Sequence, residues 1–209
     1  MSMELLARLL GGTERVKIMR LFLHHDEQIF SPSEVADKTK SKALLVKKEI
    51  ATLTVLGFLE KKKAKVFVTT GKGKAQTARL KEVSGYVLRK TFPHNDALRA
   101  LLFDFQSLDK KELASRFKTI GRIKLFVLSG VFIGDIKSRV DILIVGESIK
   151  KPKAEKVLES LSAEMGRDVI FSVMDVEEYE YRLKMYDKFI RDIVDMPHER
   201  VIDKLREIQ

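Results

Sequence analysis

Closely spaced lysines are the residues whose type and spacing most directly indicate chemistry in this sequence. Lys61, Lys62 and Lys63 are consecutive, and Lys65 follows after one intervening residue. Lysine ammonium groups bind phosphate oxygens without regard to base sequence, and they release counterions from a nucleic acid when they do so. The run therefore predicts a surface that contacts a phosphate backbone. The alternative is a lysine-rich face that is only solvated.

A predicted helix over about 42–56, ended by Gly57, precedes the lysine run. If Val46, Ile50 and Leu53 face the core, helical periodicity places the remaining side chains on the opposite face. The candidate DNA-contacting residues on or beside that face are Ser41, Lys42, Lys47, Lys48 and Thr52. Leu44 and Ala51 share the face and could contact thymine methyl groups, although we expect Leu44 to pack against the preceding helix.

The elements that must position these side chains form a helix-turn-helix pattern. An apolar helix is predicted over 14–24 with Thr13 as its N-cap, and Ser31-Pro32-Ser33-Glu34 predicts the start of a second helix ending near residue 40. Strands over 58–60 and 66–69 are expected to pair as a ribbon with its turn at 62–64, a wing that carries the lysine run. Residues 71–85 predict an exposed loop in which Lys72 and Lys74 extend the basic track, and 86–88 predict a further short strand.

The formal charge of +10 is concentrated in the same half of the chain. Residues 1–107 hold 20 Lys and Arg against 11 Asp and Glu, whereas residues 108–209 hold 20 against 19. A basic excess confined to one domain is typical of a protein with a polyanionic partner. Helix order, lysine run and charge distribution together favour duplex DNA.

Other chemistries find little support in the residue types. There is no cysteine, and the four histidines (His24, His25, His94 and His198) lack the spacing of metal ligands, so we expect no metal site. No nucleophile elbow is present. The N-terminus is a poor secretory signal and no segment predicts a membrane span, so a cytoplasmic location is expected.

The first half, about 9–70, resembles the winged-helix regulators of the arsenic-repressor type. The resemblance rests on Val46-Lys47-Lys48-Glu49-Ile50-Ala51-Thr52-Leu53 and on Leu56-Gly57-Phe58-Leu59-Glu60-Lys61, where a helix ends at glycine and leads into a ribbon. It implies a homodimer on a two-fold DNA site. The cysteine-based metal sensing of some members is not expected here.

The second half alternates in type. Helices are predicted over 97–105, 110–118, 153–165 and 177–194, and strands over 123–128, 140–145 and 168–173. Between the first two of these strands lies Leu128-Ser129-Gly130-Val131-Phe132-Ile133-Gly134, and Arg139 and Asp141 follow two residues apart. Near-continuous apolar strands interleaved with helices predict an α/β layer with a mostly buried sheet.

This half, about 109–208, resembles the minimal nucleotidyltransferase domain, often fused behind such a winged helix. The resemblance implies a loop whose amides hold nucleotide phosphates, and carboxylates on the following strands that hold magnesium ions. Here Ser129 and Gly130 stand in exchanged order before Gly134, Arg139 replaces the first carboxylate and only Asp141 keeps its place. Ile170 occupies the expected third position, with Asp168 two residues earlier. We therefore expect no transferase activity; the loop is either only a tight turn of the scaffold or, together with Arg139, still binds an anion.

Together these patterns predict an α+β protein with a winged helix-turn-helix domain over 1–107 and a nucleotidyltransferase-like domain over 108–209. We expect a DNA-binding transcriptional regulator, without a cofactor, whose second domain serves ligand sensing or protein interaction. One alternative is an antitoxin-like module that pairs with a small helical protein. The other is an active nucleotidyltransferase.

Overall fold

The computed structural model describes residues 3–70, 77–105, 108–135 and 137–205, with side chains left undescribed at 64–70 and 77–83. In these residues the helices are α1 Met3–Leu10, α2 Thr13–His24, α3 Pro32–Thr39, α4 Ala43–Val55, α5 Asn95–Leu102, α6 Lys110–Ser115, α7 Lys151–Met165, α8 Val176–Lys184 and α9 Lys188–Val194. The strands are β1 Leu59–Thr70, β2 Thr77–Leu88, β3 Arg122–Leu128, β4 Ile142–Glu147, β5 Phe171–Asp175 and β6 Glu199–Asp203.

The fold is mixed α and β, and its contacts divide into two units. The helix–ribbon unit comprises Ala7–Leu101 with Ala163–Gly166, and the sheet unit comprises Met1–Leu6, Leu102–Ser162 and Arg167–Gln209. No helix of the described residues is long and apolar enough to cross a membrane.

Helices α2, α3 and α4 pack against one another in the helix–ribbon unit. The expected helix start at Ser31 is present: the Ser31 hydroxyl accepts the Glu34 N–H at 3.3 Å, and the Glu34 carboxylate accepts the Ser31 N–H at 2.7 Å. Thr13 is the first residue of α2 rather than its cap, because Gly12 holds the N-cap position without a side-chain bond. Gly57 follows α4 at φ 79°, the left-handed conformation that ends a helix.

The ribbon differs from its prediction. Leu59–Thr70 is one strand that passes through the lysine run, and it pairs antiparallel with Thr77–Leu88 in continuous register from Leu59↔Leu88 to Thr70↔Thr77. The expected turn at 62–64 is therefore wrong, as is the exposed loop over 77–85. The pairing explains both errors, since each lysine backbone has a partner on β2, Lys62 opposite Gly85 among them. Lys72 and Lys74 lie outside the described residues.

The sheet unit is built on a mixed four-stranded sheet in the order β5-β4-β3-β6. β3 pairs antiparallel with both β4 and β6, and β4 pairs parallel with β5. The two central strands are buried, and Leu143 and Val145 pack with Ile190 and Ile193 of α9 on one face. The continuously apolar central strands follow from this burial on both sides.

This unit differs from its prediction in three respects. The helix expected over 177–194 is two helices, because Tyr186 has φ 53° and the Asp187 carboxylate caps α9 by accepting the Phe189 and Ile190 N–H groups at 3.0 and 3.2 Å. Strand β6 was missed altogether. In addition, β5 begins at Phe171 rather than at residue 168.

Candidate functional site

Helix α4 presents one fully exposed face in the helix–ribbon unit. Its inner side chains, Val46, Ile50 and Leu53, are at most 2% exposed, and burying each contributes about 1.5–3 kcal/mol. The Glu49 carboxylate also accepts from the Arg15 guanidinium of α2 at 2.7 Å. These contacts fix the orientation of α4, so that the opposite face is available to a partner.

The exposed face of α4 is partly apolar. Leu44 is 80% exposed and Val55 is 88% exposed, while Lys47, Lys48 and Ala51 lie exposed on the same side. The expectation that Leu44 packs against the preceding helix is wrong, because the first turn of α4 is anchored through the buried Val46 instead. Exposed aliphatic side chains of this kind suit contact with thymine methyl groups or with an apolar protein surface.

The polar candidates around α4 are not equally available. Lys42 is the exposed N-cap residue of α4. The Ser41 hydroxyl donates to the Thr39 carbonyl at 3.2 Å, and the Thr52 hydroxyl donates to the Lys48 carbonyl at 3.1 Å. To donate to a base, either hydroxyl must give up its hydrogen bond to the backbone carbonyl, although it can accept a hydrogen bond without doing so. The three lysines of this region, Lys42, Lys47 and Lys48, are exposed.

The ribbon lysines lie on both of its faces. Lys61, Lys62 and Lys63 are all exposed, and strand alternation places Lys61 and Lys63 on one side and Lys62 on the other. Lys62 lines a cleft of about 400 Å³ together with Asp26, Glu27 and Glu60. Lys65 pairs with Glu82 in the strand register, and its side chain is outside the described part of the chain.

In the sheet unit, the glycine loop is bound to Asp141. Ser129 lies between β3 and a short 3-10 turn over Gly130–Phe132. The Ser129 N–H donates to the Asp141 carbonyl at 2.9 Å, and its hydroxyl donates to the Val140 carbonyl in a short hydrogen bond. Gly130 has φ 56°, and a Cβ atom there would lie 2.2 Å from Asp141 Oδ1. Glycine at this position is therefore required by the approach of the carboxylate.

Both carboxylate oxygens of Asp141 are engaged. Oδ1 accepts the Val131 N–H at 3.0 Å, and Oδ2 accepts the Ile170 N–H at 2.9 Å. The Arg167 guanidinium lies 3.9 Å from Oδ2, and the Asp141 side chain is only 6% exposed. Asp141 thus ties the loop after β3 to the segment before β5. The Asp141 carboxylate therefore accepts the Val131 N–H, one of the loop amides that would bind a phosphate in the nucleotidyltransferase domains that this half resembles.

Three further loop amides have internal acceptors. Phe132 N–H donates to Ser129, and the Ile133 and Asp135 N–H groups both donate to the Gly130 carbonyl. Gly134 is exposed at φ 78° and completes the turn. A phosphate would have to displace these bonds to be held by the amides of residues 131–133 and 135.

Of the altered ligand positions, Arg139 pairs with another carboxylate and Ile170 offers Asp141 a backbone N–H. The Arg139 guanidinium pairs with Asp192 of α9 at 2.5 Å, and not with Asp141. Ile170 is 52% exposed and Asp168 is also exposed, but both precede β5, so strand alternation does not apply to them. Among the described residues no group of three or more His, Asp or Glu side chains could hold a metal ion.

Two ion-pair partners at this site, Arg167 and Asp192, have no signal in the sequence. Arg167 and Asp192 follow Asp141 and Arg139 by 26 and 53 residues, and neither position carries a local pattern. A buried or half-buried ion implies a partner of opposite charge, but the sequence does not indicate which residue that partner is.

Comparison of this chain with known protein families, with curated proteins and with solved structures found no match.

Proposed function

We propose that this chain is a DNA-binding transcriptional regulator in which a winged helix-turn-helix carries a non-catalytic nucleotidyltransferase-like domain. The observation that carries the proposal is the geometry of α4: one face is anchored by Val46, Ile50 and Leu53, and the other is exposed and leads into the lysine-bearing ribbon. Inserting an exposed helix into the major groove, with a basic ribbon along the backbone, is a common mode of duplex recognition.

The ribbon supports a specific division of labour. Lys61 and Lys63 share a face, whereas Lys62 lines the cleft in which Glu60 and Glu27 pair with Arg89 and Lys90. The carboxylates of this cleft offset its positive charges, so the Lys61–Lys63 face suits the DNA backbone better. Lys61 and Lys63 are therefore the expected contacts to the DNA backbone, and Lys62 is not.

A non-catalytic second domain is supported by Asp141. A metal-binding carboxylate needs free oxygen lone pairs directed into an open site. Asp141 is 6% exposed and has two backbone donors, and Arg139 brings a positive charge to the neighbouring position. Under this proposal the domain serves ligand sensing or protein contact instead of transfer.

Fluorescence anisotropy with duplex DNA at several salt concentrations tests the proposal. Lys61→Ala/Lys63→Ala should weaken binding and lower the slope of log K against log salt by about 2, because each phosphate that a lysine neutralises contributes about 0.9 to that slope. Lys62→Ala, on the opposite face of the same strand, is the matched control and should change the slope by less than about 0.5. Equal slopes for the wild type and the double variant would contradict the proposal, as would binding that survives Lys47→Glu/Lys48→Glu unchanged.

An interaction module that pairs with a small helical protein is a second candidate. It is favoured by an exposed apolar cluster around the α8–α9 junction, where Tyr181, Met185 and Tyr186 are 65%, 63% and 75% exposed. Such a cluster suits the apolar face of a partner helix. Co-expression with the product of a neighbouring gene should give a complex that Tyr181→Asp/Tyr186→Asp disrupts. The candidate fails if no neighbouring small protein binds.

A further inference from the structure

One end of the sheet in the sheet unit carries a concentration of basic side chains. β3 starts there at Arg122, β4 ends there at Glu147, and Lys204 follows β6. The basic residues of this end, called here the sheet-end patch, are Lys118, Arg122, Lys124, Lys150, Lys151, Lys153 and Lys204. The altered loop with Asp141 lies at the opposite end of the same strands, so the patch is separate from the site described above.

Backbone contacts bring the segments of the patch together. The Lys150 N–H donates to the Ile120 carbonyl at 2.7 Å, and the Lys204 N–H donates to the Lys124 carbonyl at 2.7 Å. A Cβ atom on Gly121 would lie 2.9 Å from the carbonyl oxygens of Glu147 and Ser148, which shows how closely the two connections pack. The patch is therefore formed by three separate stretches of chain, around 118–124, 147–153 and 204.

The carboxylates at this end already have partners. Glu147 is paired with Arg122 at 3.3 Å and with Lys124 at 3.0 Å, and the hydrogen bond from Lys124 is the main reason that the pKa of Glu147 is lowered. Asp203 pairs with Arg200, and Asp175 caps α8 by accepting the Glu178 N–H. Glu147, already paired with Arg122 and Lys124, does not neutralise the lysines before and within the first turn of α7, and Glu155 follows only after that turn.

The position of those lysines is electrostatically unfavourable for the protein alone. Lys150, Lys151 and Lys153 are exposed around the N-terminus of α7, whose first turn contains no acidic residue. A helix N-terminus carries partial positive charge, so cations there are disfavoured and their mutual repulsion adds to the effect. An anion contacting the patch would relieve both.

We propose that the sheet-end patch is a second contact surface for the phosphate backbone of duplex DNA, separate from the helix–ribbon unit. Residues 108–209 carry a balance of only +1, so the patch is a local concentration and not a general basic character. None of the exposed large apolar side chains of the described residues belongs to its three segments. A basic surface without large exposed apolar side chains fits a nucleic-acid backbone better than a membrane, where apolar anchors usually assist.

Lysine reactivity in the full-length protein tests this inference without relying on affinity alone. A duplex of about 30 base pairs, roughly 100 Å long at 3.4 Å per base pair, should protect Lys150, Lys151 and Lys153 from an amine-acylating reagent. Lys184 and Lys188, exposed on the same unit outside the patch, should react at the same rate with and without DNA. Lys47, Lys48 and Lys61 report on the helix–ribbon unit in the same sample.

The two proposals give different results in this experiment. Protection of the patch without protection of Lys47 and Lys61 would overturn the proposed function but support this inference. Protection of Lys47 and Lys61 without protection of the patch would support the proposed function and overturn this inference. If only single-stranded RNA or vesicles containing phosphatidylserine protected the patch, the assignment to duplex DNA would be wrong, and protection by none of these would remove the patch as a phosphate-binding surface.

Charge removal gives an independent measurement. Lys150→Gln/Lys151→Gln/Lys153→Gln should reduce the salt slope for the long duplex by about 2–3, and each lysine replaced removes a factor of about 3.5 from the affinity change between about 50 and about 200 mM salt. Lys184→Gln/Lys188→Gln is the matched control and should leave the slope unchanged. Equal slopes for the triple variant and the wild type would overturn the inference.

Discussion

Replacing Asp141 with asparagine should destabilise the sheet unit. The two side-chain oxygens accept the Val131 N–H at 3.0 Å and the Ile170 N–H at 2.9 Å, and the side chain is 6% exposed. Asparagine has one side-chain oxygen, so it can accept from only one of these two N–H groups and places its NH₂ group against the other. That buried N–H loses its acceptor, at a cost of about 1–3 kcal/mol. The remaining bond also loses its charge, so we expect a total of about 2–4 kcal/mol.

Native-state hydrogen exchange is the appropriate assay, since the two units need not unfold together. The opening free energy of amides in the central strands β3 and β4 should fall by the expected amount. Asp192→Asn is the matched control, because it breaks the half-exposed pair with Arg139, with side chains 30% and 47% exposed, and such pairs contribute at most about 1 kcal/mol.

Gly130→Ala tests the same interaction from its other side. Its Cβ atom would lie 2.2 Å from Asp141 Oδ1, so the carboxylate must move and the same amides should exchange faster. If Asp141→Asn lowered the opening free energy by less than about 0.5 kcal/mol, or no more than the Asp192 control, the carboxylate would not be the tie between loop and sheet that its hydrogen bonds indicate.

Three further predictions follow from other residues. Arg139→Asp should not produce magnesium-dependent transfer from labelled nucleoside triphosphates, because Asp141 stays engaged and Ile170 still supplies no ligand; product that disappears on Asp141→Ala would reverse this conclusion. Ser31→Ala should cost about 1 kcal/mol by removing the cap of α3, measured by exchange of the α3 amides, whereas Ser33→Ala should leave the Ser31–Glu34 bonds in place. Burial is the main cause that raises the pKa of Tyr179, so its folded state favours the neutral phenol: the stability this contributes is complete below the unfolded pKa near 10 and is lost as pH rises through the higher folded value. The difference between tyrosinate absorbance titrations of the wild type and Tyr179→Phe should show a transition above pH 10 in the folded protein, and one at or below that pH would refute it.

Local signals in the sequence predicted local structure well. The Ser31–Glu34 capping pattern and the glycine after α4 act within a few residues, and both are present in the structure. The apolar face of α4 was also predicted, because a helix buries side chains at a fixed period.

The failures concern interactions between distant residues. The lysine run looked like a turn because lysine is polar, but pairing with β2 determines its conformation. The exposure of Leu44 depends on which turn of α4 meets the neighbouring helices, and periodicity alone does not specify this. Asp141 was predicted at a site of chemistry, yet its partners, Val131 and Ile170, are backbone groups that no side-chain pattern records.

The pairing of β6 with β3 bears on how the protein is made. Leu128 and Glu199 are neighbours in the sheet, although 70 residues lie between them in the chain. During synthesis, β3 must therefore wait with one open edge until β6 has left the ribosome, whereas α2, α3 and α4 find one another over short stretches. An unpaired apolar strand is a template for association between chains. Slow translation or early cleavage between these strands should then yield aggregates that begin at β3. The chain is therefore most prone to aggregate between the synthesis of β3 and that of β6.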